Sequence, residues 1–230
     1  MKDAEHSDPV DSERVPLPDG SEILVQRVTP AARESLRKGF ERMSPDSRYL
    51  RFFAARPALS EAELTYLTNV DGIDHVAIGA LRESEAGVEG VGIARFVRTR
   101  EEPTCAEPAV AVIDAEQGRG IGGILLDRLI AAALERGITH FRAPVLADNA
   151  TMKNLLDGYA GVRWTDGDEP GVRVAHVPLL PGVVPADADA APRPSALLKA
   201  LGVAAGKVVE FPIGRALWSA FTEDEGAEDD

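Results

Sequence analysis

The chain has 230 residues, 44% apolar and 27% charged, and its 25 Lys and Arg against 38 Asp and Glu give a net charge of −13. A core of ordinary size is within reach, while the acidic balance without any Lys/Arg-rich run argues against nucleic acid as a partner. The lone cysteine, Cys105, can form neither an internal disulfide nor a Cys-based zinc site, and the four histidines show no ligand spacing, so no metal is expected. No apolar run approaches a membrane span and the N-terminus has no apolar signal region, so the expectation is a cytoplasmic chain with no membrane partner.

Residues 1–20 carry Pro9, Pro16, Pro18 and Gly20 among charges and read as a disordered, acidic lead-in. Ser21–Val28 alternates imperfectly and reads as a first strand. Thr29-Pro30 marks a helix start, with threonine as cap and proline at the first helical position, and Ser44-Pro45 repeats the signal. Ser60-Glu61-Ala62-Glu63 is a capping box opening a third helix through Asn69. His75–Arg82 and Val88–Arg98 are β-rich runs joined by a Glu/Ser/Gly turn, a hairpin; Arg95 and Arg98 on it read as solvated strand charges, with steering of an acidic substrate as the alternative.

Glu107–Ile113 is a short apolar run, expected to be a strand buried on both faces. From Gly120 to Glu135 the stripe Ile121, Ile124, Leu125, Leu129 and Ala132 has helical spacing, and Gly137 closes the helix. Ile138–Leu146 reads as a strand, Asn149–Asp157 as a capped helix, and Val162–Trp164 with Val172–Leu179 as closing strands. The order β-α-α-α-β-β-β-α-β-α-β-β over residues 21–180 predicts a mixed α/β layer fold. Residues 181–230 form an Ala/Pro/Asp linker, two short helical stretches and an acidic tail, with Leu217, Trp218 and Phe221 available to dock a partner.

The sharpest motif is Gln117-Gly118-Arg119-Gly120-Ile121-Gly122-Gly123, set between a strand and a helix. Glycines there bring a row of bare N–H groups together, and the positive end of the helix dipole suits them to a pyrophosphate. It is not a dinucleotide fingerprint, because Leu125 stands where a third glycine belongs, and no Gly-Lys-Ser/Thr follows to make a P-loop. From the glycines alone, a phosphate cradle and a plain strand-to-helix turn both stay open.

With those residues in view, the sequence resembles the GNAT N-acetyltransferase superfamily, whose phosphate motif Gln/Arg-x-x-Gly-x-Gly/Ala is matched by Gln117, Gly120 and Gly122. The strand before the motif, the helix after it and the following strand and Asn-capped helix extend the likeness over roughly residues 21–180. MSPDSRYLRFF and AEPAVAVIDAEQGRGIG look like the catalytic domain of bacterial protein-lysine acetyltransferases. The resemblance implies a mostly antiparallel central sheet flanked by helices with flexible acidic termini, and acetyl-CoA as co-substrate. It implies that the backbones of Val112 and Ile113 pair with the pantetheine arm and polarise the thioester carbonyl. Gln117, Gly118, Arg119, Gly120, Ile121, Gly122 and Gly123 would hold the pyrophosphate, and Asn149 would touch the cofactor from the next helix.

Attack by an amine requires a free base, since a lysine ammonium near pKa 10.4 is a poor nucleophile at neutral pH. Glu107, ten residues before Gln117, resembles the base of the lysine-acetyltransferase group, and partial burial at a strand end would raise its pKa. The plainer alternative is a solvated strand-end charge. The tyrosine that many superfamily members carry seven residues after the asparagine is here Leu156; Tyr159, three residues on, is the substitute acid, against ordinary packing. Cys105 reads as a loop cysteine, and His75 and His140 as surface or packing residues. The expected activity is N-acetylation of a protein lysine by direct attack. A small-amine acetyltransferase and a non-catalytic acyl-CoA-sensing or partner-binding module are the rivals.

Overall fold

The computed structural model describes residues 12–179 apart from 53–55 and 86. The C-terminal linker and tail over 181–230, with its docking residues, lie outside the described residues, as do residues 1–11.

Eight strands form one sheet in the order β1-β2-β3-β4-β5-β6-β8-β7. They are β1 Glu13–Pro16, β2 Glu22–Arg27, β3 His75–Ser84, β4 Gly87–Arg98, β5 Cys105–Val112, β6 His140–Leu146, β7 Arg163–Asp166 and β8 Val172–Pro178. The helices are α1 Arg33–Glu41, α2 Pro45–Phe52, α3 Glu61–Thr68, α4 Ile121–Glu135 and α5 Ala150–Asp157. The expected order of elements is met, with β1 added in front. The lead-in expected to be disordered therefore carries a strand: Val15 and Leu17 are buried, and Glu13 reaches Arg128 on α4 at 2.6 Å. One buried valine, with Leu17 just past the strand end, was enough for an edge strand once β2 offered a partner.

Two helix starts act as read, while Thr29-Pro30 opens only a 3-10 turn, Pro30–Ala32, and the Thr29 side chain makes no cap bond. The Ser60 hydroxyl accepts from the Glu63 N–H while the Glu63 carboxylate accepts from the Ser60 N–H, a complete capping box. Ser44 Oγ accepts from the Ser47 N–H at 3.1 Å and so caps α2. One sheet face is covered by α4. A Cβ at Gly92 of β4 would stand 3.0 Å from Leu125 Cδ1 and 3.2 Å from the Ala111 carbonyl, so glycine there lets α4 lie against the strand. The other face is covered by α1–α3: Gly90 would meet the Ser35 carbonyl at 3.3 Å, and Arg95 donates to the Leu67 carbonyl at 3.1 Å. Arg95 is thus buried under α3, not solvated as expected for a strand charge.

Every strand pairing is antiparallel except that of β5 with β6. Those two run parallel and are in register only at Cys105–His140 and Ala106–Phe141, after which they part. The sheet is therefore split in its middle, beside the motif that drew attention in the sequence.

Candidate active site

Backbone alternation makes the open edge of β5 chemically useful. Ile113 N–H donates to the Val91 carbonyl at 3.0 Å, on the β4 side. Along an antiparallel strand successive amides point to opposite sides, so Ala109 and Ala111 also face β4 while Val110 and Val112 face the gap. Of the two residues expected to pair with an extended ligand, Val112 stands at this edge; Ile113 is already engaged in the sheet. Pro108 has the same parity as Val110. Its missing N–H therefore takes nothing from the β4 ladder and leaves no buried donor in the gap.

The edge leads through a 3-10 turn, Asp114–Glu116, into the glycine loop. Gly118 (φ +72°) and Gly120 (φ +89°) are left-handed, which disfavours any side chain. Gly120 is the N-cap of α4 and has no side chain to close it, while the Ile124 N–H is the one that bonds back to Gly120, at 3.1 Å. The first-turn amides of α4 thus meet an uncapped, positive helix end. A Cβ at Gly118 or Gly123 would meet nothing within 4 Å, so the space over this end is open. These features fit a pyrophosphate.

The expected polar members of the loop do other work. Gln117 Nε2 donates to the Val112 carbonyl at 2.9 Å and ties the loop to the strand. Arg119 is spent on Asp19, Ser21 and Glu116, each at 2.9 Å. Two acids that the sequence did not single out brace the turn. Glu116, buried, also accepts from Arg82 at 2.6 and 2.9 Å. Asp114 accepts from the Ser44 N–H and hydroxyl and from the Ser47 hydroxyl at 2.7–2.9 Å, locking the loop to the start of α2. Burial alone would raise the Asp114 carboxyl, yet these bonds together hold it below the ordinary value. Asp114→Ala should cost about 2–3 kcal/mol, read from the urea midpoint, because three donors lose a charged acceptor; an unshifted midpoint would show the brace to be idle.

Glu107 is the third residue of β5, half-buried, and directly opposite Val97, which in turn lies opposite His75. Opposed residues of antiparallel strands share a face, so Glu107, Val97 and His75 form a row on the α1–α3 side, with Arg95 and Ala109 in the next row. Tyr66 of α3 closes over them: its ring is 4.8 Å from that of His75, and burial, opposed by Arg95 and reinforced by Glu107, raises its hydroxyl pKa. No local pattern announces this cluster, because Tyr66, His75, Arg95 and Glu107 come from four separate elements.

His75, read as a surface or packing residue, is buried and takes Arg95 Nη1 at 3.1 Å on its Nε2, which only a neutral imidazole can do. Burial first, then the Arg95 charge, push its pKa from 6.5 down to about 4. Below pH 6.5 the unfolded chain takes a proton that the folded chain refuses, so this stability is lost as pH falls towards 4. The loss is about 3 kcal/mol for a shift of this size. Denaturation midpoints between pH 7 and 4.5 should fall less steeply for His75→Gln; parallel profiles would remove His75 from the balance.

Tyr159 donates to Asp127 Oδ1 of α4 at 2.7 Å, and burial followed by the Asp127 charge raises its pKa steeply. Its placement holds the end of α5 to α4, and its proton is committed there. Asn149 is buried and caps α5, accepting from the Met152 N–H at 3.0 Å. Cys105 opens β5 in the core, where burial pushes its thiol pKa up.

A split sheet, an open strand edge and an uncapped glycine loop together offer an extended ligand a strand to pair with and its pyrophosphate a helix end. Accordingly, a model of the acetyltransferase (GNAT) family matches residues 30–159. The chain belongs to that family, whose members use acetyl-CoA, and is an acyltransferase. It is 35% identical over 162 residues to acetyltransferase Pat of Mycolicibacterium smegmatis, covering 70% of this chain and 47% of that protein. The chain thus spans under half the length of that relative. Acetyltransferase PA5475 of Pseudomonas aeruginosa is 31% identical over 160 residues, covering 70% of this chain and 85% of its own. The GNAT domain of S. lividans PAT superposes with a TM-score of 0.66 at 33% identity, over 73% of this chain and 97% of that one. Among the described residues, no helix is long and apolar enough to cross a membrane.

Proposed function

We propose that the chain transfers an acetyl group from acetyl-CoA directly to the ε-amine of a protein lysine, with Glu107 as general base. The observation that carries this is the continuity of the Val110–Val112 edge with the uncapped Gly120 end of α4, with Glu107 on the same strand. Acetyl-CoA, when bound, supplies the activated acyl group. The first-turn amides of α4 would hold the pyrophosphate, with the turns at Gly118 and Gly120 keeping them bare. The gap-facing amides of Val110 and Val112 would orient the pantetheine arm and present an N–H to the thioester oxygen. Glu107 would accept the proton from the lysine Nζ, making the amine nucleophilic at neutral pH. Tyr159 has no part in the chemical step, because Asp127 holds its hydroxyl and a CoA thiolate leaves without an acid.

The acceptor follows from the likeness of residues 43–53 and 106–122 to bacterial protein-lysine acetyltransferases. Incubation with acetyl-CoA and a panel of lysine-bearing proteins, followed by peptide mass spectrometry, should show acetyl-lysine at defined positions. Turnover of small amines alone would transfer the activity to that class of acceptor.

A further inference from the structure

Between α1–α3 and the sheet lies a cavity of about 90 Å³, walled by Leu36, Phe40, Met43, Phe52, Leu67 and Ile93, and reaching Ala111 and Ile113 at the site end of β5. That is room for roughly six water-sized groups, the size of a short acyl or alkyl chain. Two guanidinium side chains line this otherwise apolar space, those of Arg51, 4% exposed, and Arg95, 3% exposed. Burial first, then repulsion from Arg51, lower the Arg95 pKa to about 9.

Arg95 is the unusual member. Its partners are the neutral His75 and the Leu67 carbonyl, and its buried Nε–H meets no acceptor among the described residues. No carboxylate among them hydrogen-bonds to it. A buried cation so placed is costly unless an anion completes it, and the natural complement to a guanidinium fork is a carboxylate. We infer that the cavity is a ligand subsite in which Arg95, with Arg51 adding positive potential, receives a carboxylate carried at the end of a short apolar chain. Two sources share that chemistry: the far carboxylate of a dicarboxylic acyl-CoA, or the carboxylate of an acceptor whose amine reaches Glu107. Naming these sources rests on the reading of the β5 edge as the place where thioester and amine meet; the subsite itself does not.

The test is direct. Butyrate and its uncharged analogue butyramide are titrated into the full chain while the guanidinium Nε–H resonances are followed by NMR. Butyrate should shift the Arg95 resonance at least about ten-fold more tightly than butyramide, as loss of a charged hydrogen-bond partner predicts. Read at the Arg51 Nε–H, which both variants keep, R95M should abolish the butyrate response and R95K should retain part of it, which guards against a variant that merely misfolds. Succinyl-CoA against butyryl-CoA in affinity, and γ-aminobutyrate against propylamine in turnover, then identify the source: a carboxylate preference in either pair that R95M removes supports the subsite. Equal, weak responses to butyrate and butyramide, with no preference in either pair, overturn it. If butyrate binds at Arg95 but acetyl-CoA does not bind at all, the subsite stands and the acyl-transfer reading falls.

Discussion

Glu107→Gln is expected to slow acetyl transfer by about 10²–10⁴ while leaving acetyl-CoA affinity unchanged. The amide keeps the shape of the side chain on β5 but cannot take a proton from the attacking amine. Its place in a row with Val97 and His75 puts it on a face of the sheet, away from the gap-facing amides that would hold the cofactor. Rate and affinity should therefore separate. The defect should also shrink as pH rises towards the lysine pKa, because free amine then forms without help. A variant that transfers at the wild-type rate would remove Glu107 from the mechanism, and one that loses acetyl-CoA binding would mark it as structural.

Gly123→Leu is expected to leave the fold intact, or stabilise it by up to about 1 kcal/mol, and to lower acetyl-CoA affinity at least about 100-fold. Gly123 lies in the first turn of α4, and a Cβ there meets nothing within 4 Å, so the side chain leaves the helix without crowding and leucine gains helix propensity. Its side chain would instead stand in the open space over the helix end. Gly120→Leu confounds the two effects, since φ +89° strains any side chain. A folded Gly123→Leu protein that binds acetyl-CoA as tightly as the wild type would leave the loop as a turn only.

How far the sequence predicted the molecule depended on the range of the interaction. The capping box at Ser60, the proline start at Ser44-Pro45 and the glycine loop are local, and each sits where its pattern placed it, whereas Thr29-Pro30 opens a 3-10 turn over Pro30–Ala32 ahead of α1 and the Thr29 side chain makes no cap hydrogen bond. Strand β1 was missed because Val15 is its one buried apolar residue, too little for a periodic signal, and the segment becomes a strand only against β2. The site divides the same way. Backbone geometry at Gly118 and Gly120 follows from residue type, whereas the duties of Arg119 and Tyr159 depend on partners far along the chain or across a helix pair. Asp114 and Glu116 were not singled out in the sequence because Ser44, Ser47 and Arg82, which they bind, lie over thirty residues away. Arg95 was misread for the related reason that a strand arginine is usually solvated, and nothing near it in sequence announces that α3 covers it.

The measurement that bears most directly on the central claim is a calorimetric titration of the purified chain with acetyl-CoA and with free CoA. Micromolar binding of both is predicted, since the pyrophosphate and pantetheine arm common to the two ligands make the contacts assigned to the α4 end and the β5 edge. Absence of binding by either ligand would contradict that assignment and the acyl-transfer mechanism built on it.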